Sequence, residues 1–385
     1  MACYSDYYRR TDYDALKKQS STVFEWYVGT THTAFTALSG VDLKDYYTIP
    51  EAFAEACSKK NRKIIQEMFG TDVNVTPYAP AISYGHLSAL GFELVFPDGG
   101  EVNYVKKGLS IDESIRLFDE KPDYRMAGFY PLYRENLEKI RSLLPSDDLP
   151  IQYSTEGPTT LAYAILDQDF FYQPYDHPEK YKILLKKIVE SIIDFRRFQS
   201  AERGVVTKKP GNGMYDDLAA MLSPDLWDEF VLPFWDLYYH ELCNDFRFLH
   251  CEGMGEPHLK HLERIGITFY EPAVSEKLAP WIIENATRVP YSWKIESFQY
   301  SDMSVQDVRN EVIDAASNGA SRVWTDISDN MLNDACISKV MEFKKTAVEV
   351  GELIKNGMTR DEIKSLRGKD AWHSVKNTSK TIEIA

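Results

Sequence analysis

From residue 149 onward the chain repeats one pattern, a short apolar run followed by a helix-length amphipathic segment, and this alternation most restricts its fold. Strands are expected over 150–154, 204–207, 246–251, 267–271, 289–295 and 322–325, with helices over 180–198, 224–243, 256–265, 305–316 and 338–355. Strands separated by helices of this length build a parallel sheet, because each crossover returns the chain to the same end of the sheet. Six such strands, with room for more upstream, predict an α/β fold of the closed (β/α)8 TIM-barrel type. No G-x-G-x-x-G follows the first strand, which argues against a dinucleotide-binding open sheet.

Upstream the pattern differs. The first 80 or so residues read as helical: Pro50-Glu51 opens a segment whose apolar positions recur at helical spacing from Ala52 to Phe69, and Gly70 stops it. Gly91 to Phe96 and Glu101 to Val105 alternate across the turn Pro97-Asp98-Gly99-Gly100, the signature of a β-hairpin. With no internal repeat and no Pro/Ser-rich linker, the expected organisation is an N-terminal helical and hairpin extension over 1–110 packed on a barrel over 111–385, forming one structural unit.

The formal net charge of -15 is unsuited to phosphate backbones, so nucleic acid is not an expected partner. No apolar run approaches the roughly 18 to 20 residues of a membrane helix. Five scattered cysteines and an N-terminus without a signal-peptide core point to the cytoplasm.

In such barrels chemistry sits at the C-terminal ends of the strands. Here those ends carry Glu156, Asp216, Asp217, His250, Glu252, Glu271, Glu296, Asp326 and Asp329. So many carboxylates at one mouth call for a cation, since burial otherwise forces protonation. In Phe246-Arg247-Phe248-Leu249-His250-Cys251-Glu252-Gly253, strand alternation sends His250 and Glu252 to one side and Cys251 to the other. An imidazole and a carboxylate so placed can share a divalent ion, completed by Asp326 or Asp329. The plain alternative is a polar barrel lining. Glu271 and Glu296 are candidates for a third ligand or a proton donor, and Asp217 is a further candidate catalytic group. Asp216 and Asp217 are candidates for substrate binding; capping is the weaker reading for this pair, because Ser223 and Pro224 start the next helix well. His258 and His261 read as surface residues, and His32 and His86 lie in segments able to cover the mouth. Trp293 and Trp324 on barrel strands could pack a planar substrate or simply fill the core.

Three segments carry a resemblance: Glu156-Gly157-Pro158-Thr159-Thr160-Leu161-Ala162; Tyr215-Asp216-Asp217-Leu218-Ala219 followed by Leu222-Ser223-Pro224 and Leu232-Pro233; and the strand ending at His250. Over about residues 80 to 355 the chain resembles the uroporphyrinogen decarboxylase superfamily, in particular its cobalamin-dependent methyltransferase branch. The resemblance implies a (β/α)8 barrel. The arginine-rich N-terminal motif of the porphyrinogen decarboxylases is missing, and so is the H-x-C-G strand end of the thiol-methylating branch. Glu252 stands where that branch has its thiolate, and no cysteine follows the last strand until Cys336. Hard oxygen ligands leave zinc a stronger Lewis acid, suited to an ether oxygen rather than a thiol.

The resemblance therefore implies a zinc-dependent O-demethylase methyltransferase. Its methyl donor would be a small methyl ether, such as a methoxylated aromatic, and its acceptor the Co(I) corrinoid (cobalamin) of a partner protein. Asp216 and Asp217 are then also candidates to position the corrinoid, and the N-terminal hairpin and helices are the expected docking region. Thiol methylation of the coenzyme M type and a metal-free lyase are the alternatives. A homodimer is compatible with any of them.

Overall fold

The computed structural model describes residues 10–369 except 99, 146–148, 150 and 274. Among the described residues eight strands are defined: β1 (Glu25–Thr30), β2 (Leu94–Val95), β3 (Asn103–Tyr104), β4 (Lys209–Tyr215), β5 (Cys243–His250), β6 (Phe269–Glu271), β7 (Ser292–Lys294) and β8 (Arg322–Ile327). β4-β5-β6 and β7-β8-β1 form parallel ladders, and the parallel bridge between Tyr270 and Tyr291 joins them into one row. Single bonds extend the row at both ends. Asn74 N–H donates to the Val28 carbonyl beside β1, and beyond β4 Gly157 N–H donates to Tyr215 while Ile82 bridges Tyr153. The fold is thus α/β with parallel sheets; among the described residues no ladder closes the row into a ring.

The helices between strands follow their apolar spacing. In the Pro178–Glu202 helix, Tyr181, Leu184, Leu185, Ile188, Val189, Ile192 and Ile193 are buried at helical intervals, whereas Ile183 is exposed. Burying each such aliphatic side chain is worth about 1.5–3 kcal/mol against leaving it in water. Glu256–Arg264, Val305–Ser317 and Asp334–Lys355 also fall where expected.

Four differences from the sequence reading have local causes. β1 lies inside the stretch expected to be helical; its residues pair with β8 from Glu25–Arg322 to Thr30–Ile327, so the parallel row draws a strand from residues 1–110. The strand expected over 204–207 is a turn region, and β4 begins later. Its sequence, Lys-Pro-Gly-Asn-Gly-Met-Tyr, has poor strand propensity. Space is the reason for a glycine there: a Cβ on Gly213 would come within 2.9 Å of the Phe248 ring. The helix expected over 224–243 breaks at Val231, and Pro233, lacking an N–H, sits in the first turn of the restarted Leu232–Leu242 helix. The helix through 52–69 breaks at Cys57-Ser58.

The hairpin forms, with Leu94 opposite Tyr104, although Gly99 of its turn lies outside the described residues. Pro150, first residue of another expected strand, also lies outside them. No helix among the described residues is long and apolar enough to cross a membrane.

Candidate functional site

Parallel register sets three strand ends side by side: Tyr215 pairs with His250, and His250 with Glu271. His250 Nδ1 donates to Glu271 Oε1 at 2.9 Å, and Ser292 Oγ donates to Glu271 Oε2 at 3.3 Å. Committing Nδ1 to a carboxylate fixes the ring and turns Nε2 toward Asp217 at 3.7 Å and Glu252 at 3.8 Å. Asp217 is itself held by the Glu252 N–H, which donates to its Oδ1 at 2.9 Å. The Tyr215 ring lies 5.3 Å from the imidazole.

This is a strongly anionic enclosure. Burial opposes a charged His250, yet the adjoining Glu252 carboxylate, the hydrogen bond to Glu271 and the charge of Asp217 outweigh it and push the imidazole up to about 10. Burial, then the neighbouring Asp217 and Asp216, pushes the Glu156 carboxyl up to about 8. Burial also raises Asp217 above the ordinary carboxylate range.

A second cluster surrounds Lys294. Its ammonium lies 3.0 Å from Glu296, 3.6 Å from Asp326 and 4.4 Å from the centre of the Trp324 ring. Burial lifts both carboxyls, with Lys294 opposing the shift. Gly29, opposite Asp326 in the ladder, leaves room for that carboxylate: a Cβ there would collide with Asp326 Oδ1.

The expected metal quartet is therefore not assembled. His250 and Glu252 are together, but Asp326 belongs to Lys294, and Asp329 is exposed, with its backbone N–H bonded to Thr33. Among the described residues no group of three His, Cys, Asp or Glu side chains is arranged to hold a metal ion. Asp217 is the aspartate that stands at His250 Nε2, at 3.7 Å. Glu271 orients His250, and Glu296 is a partner of Lys294 with a buried, unpartnered Oε1.

Asp216 has a structural task. Fully buried, its carboxylate accepts from Thr159 N–H at 3.2 Å, Thr160 N–H at 2.7 Å and Trp235 Nε1 at 2.6 Å. It caps the Pro158–Leu166 helix, whose own N-cap residue, Gly157, has no side chain to do so. The capping judged weaker from sequence is thus what Asp216 does, for the preceding helix. Ser223 occupies the N-cap position of its short helix without a side-chain cap bond.

The other histidines also find their places. His258 and His261 are buried against Trp227, at 5.0 and 5.4 Å between ring centres, instead of lying on the surface. His86 is buried between Ser191 and Thr155, with its ring near Phe195. His32 lines a cavity of about 270 Å³ shared with Glu101 and Asp326. Cys251 is buried with its thiol on the Asp216 carbonyl, and Cys336 is buried near the start of a helix. Trp293 is core, donating to Glu311, whereas Trp324 faces a cavity of about 800 Å³.

That cavity is lined by Trp26, Tyr27, Tyr78 and Trp324 among others, with Glu271 at one part of its wall and Arg322 at another. Sequence reading had missed Lys294, Ser292, Asn74 and Arg322. The alternation Ser292-x-Lys294-x-Glu296 carried the signal for two of them, since residues two apart on a strand share a face.

The family model for uroporphyrinogen decarboxylase (URO-D) matches residues 26–275, and the chain belongs to that family. Among solved structures, a methyltransferase from Methanosarcina mazei shares the fold, with a TM-score of 0.61 and 18% sequence identity over 87% of this chain and 98% of that one. No curated protein matches the chain.

Proposed function

We propose that the protein is a methyltransferase that moves a methyl group from an aromatic methyl ether to the Co(I) corrinoid of a partner protein, assisted by a zinc ion at His250. The carrying observation is the oriented imidazole, with Nδ1 held by Glu271 and Nε2 flanked by Asp217 and Glu252. The structural likeness to a methyltransferase supports the same class.

The donor chemistry fits a divalent ion. One imidazole nitrogen and two carboxylates face one another, a third carboxylate orients the imidazole, and the crowded negative charge is what a cation would relieve. His250, Asp217 and Glu252 would hold the ion after a small side-chain closure, because 3.7 and 3.8 Å exceed the spacing of ligands on one ion. When bound, the ion would supply Lewis-acid polarisation of the ether oxygen. Carboxylates and no thiolate flank Nε2, since the Cys251 thiol turns to the Asp216 carbonyl, and this hard donor set favours the ether over the thiol reaction.

In the transfer the C–O bond breaks with its electron pair left on oxygen, and an electron pair of the acceptor takes the methyl carbon. Glu156, pushed up to about 8 by burial and then by Asp217 and Asp216, is the group that would give a proton to the phenolate oxygen so formed. Lys294 offsets part of the negative charge of Glu296 and Asp326. Aromatic walls at Trp324 and Tyr27 stack the ring and exclude water. The hairpin is the region proposed to meet the corrinoid protein.

Elemental analysis of purified wild type and His250→Ala, with methoxylated aromatics and a Co(I) corrinoid as assay, tests the reading. About one zinc per chain, lost in the variant together with demethylation, supports it. Demethylation that survives His250→Ala refutes it.

A further inference from the structure

A cavity of about 220 Å³ lies between the Tyr130–Leu143 helix and the end of the Pro178–Glu202 helix, and none of its lining residues belongs to the His250 or Lys294 clusters. Tyr130, Tyr133, Arg134, Glu138 and Arg141 recur every three or four residues and so share the helix face that forms one wall. Glu202 and Arg203 belong to the other. Both carboxylates of this lining already have cations. Glu202 pairs with Arg125 at 2.7 Å and accepts from the Tyr130 hydroxyl at 3.4 Å, while Arg134 lies 3.7 Å from Glu138 and 3.8 Å from Glu202. Arg141 and Arg203 form no ion pair or hydrogen bond with any described residue, so two positive charges line one cavity uncompensated in a chain of net charge -15. Tyr133 adds a donor. It is 4% exposed, its hydroxyl accepts from Gln152 N–H at 3.1 Å, and no described residue accepts its proton.

From this we infer that the cavity is a binding site for a small phosphate dianion, free or as a monoester, held by Arg141, Arg203 and the Tyr133 hydroxyl. The charges match, two against two. A tetrahedral oxyanion presents oxygens in several directions and accepts from two helices and a phenol at once, whereas a carboxylate offers two oxygens in one plane. Arginine suits this role, because its guanidinium stays charged and presents paired N–H groups to phosphate. Volume sets the upper limit: pockets that enclose drug-sized ligands run to roughly 300–1,000 Å³, so this one takes a phosphoryl group and little beyond it. The chain as a whole repels anions, so binding depends on these local donors. The site owes nothing to the methyl transfer proposed for the strand ends.

Isothermal titration calorimetry on the full chain, at pH 8 and low ionic strength, tests it with inorganic phosphate, methyl phosphate and acetate. Phosphate should bind at one site per chain, and acetate at least about tenfold more weakly. Whichever of phosphate and methyl phosphate binds more tightly names the form taken, and either upholds the site. Arg141→Gln and Arg203→Gln should each weaken phosphate about tenfold or more, and Tyr133→Phe by less. Arg116→Gln, which removes an exposed arginine from a different helix, should change nothing. Glu138→Gln frees Arg134 and should tighten phosphate severalfold, a gain that misfolding cannot imitate. Near-UV circular dichroism checks that the variants are folded. An absence of saturable phosphate binding by wild type, equal binding of acetate, or an affinity unchanged in folded Arg141→Gln or Arg203→Gln overturns the inference.

Discussion

His250 and Glu271 stand at matching register on adjacent parallel strands, and the 2.9 Å bond from Nδ1 to Oε1 settles which imidazole nitrogen is left for chemistry. Nε2, between Asp217 and Glu252, is the available one. Glu271→Ala should therefore lower zinc affinity about ten- to hundredfold without removing a ligand. Glu271→Gln should lower it less, because its amide oxygen still accepts from Nδ1. Competition with a chromophoric chelator measures both, and unchanged affinity in Glu271→Ala would remove this orienting role.

Asp216 should prove structural. Asp216→Ala leaves two helix N-terminal N–H groups and the Trp235 indole N–H buried without their acceptor, at a cost of about 3 kcal/mol or more. Urea unfolding followed by fluorescence reads this directly. A variant of wild-type stability that fails only in ligand binding would contradict the assignment.

Glu311 supplies a pH dependence in the alkaline direction. Burial pushes its carboxyl up to about 7 from an ordinary 4.5, with the Trp293 N–H bond opposing the shift. The unfolded chain releases this proton first as pH rises, so the contribution is complete below about 4.5 and is lost as pH climbs through 7. Glu311→Gln keeps an acceptor for Trp293 and should be more stable than wild type at pH 8, with the gap closing toward pH 4. Urea midpoints across that range decide it.

His261 acts in the opposite sense. Burial, then Arg264, lowers its imidazole from 6.5 to about 4, so the unfolded chain takes up the proton first on acidification. Its contribution is whole above 6.5 and is lost as pH falls through 4. His261→Leu should flatten the acid limb of the stability profile between those values. An unchanged limb would place the acid sensitivity elsewhere, with His258 and His86, both lowered by burial, next in line.

The helices were readable because an amphipathic period is written into consecutive residues, as in Glu256–Arg264 and Val305–Ser317. β4 was misplaced because its glycines answer to Phe246 and Phe248 on the neighbouring strand and not to any local propensity. His258 and His261 looked like surface residues because nothing local announces Trp227, some thirty residues earlier, as their packing partner.

The sequence alone determined the alternation of strands and helices, the family, and a strand ending on His250 with Glu252 on the same side, because these depend on neighbours along the chain. Tertiary structure alone decided which carboxylates accompany His250. Register across β4, β5 and β6 brought Asp217 and Glu271 to it, pairing of β7 with β8 gave Asp326 to Lys294, and Asp216 went to a helix end. Residues distant in sequence become neighbours only through strand pairing, and a carboxylate's role follows from the partner it meets there.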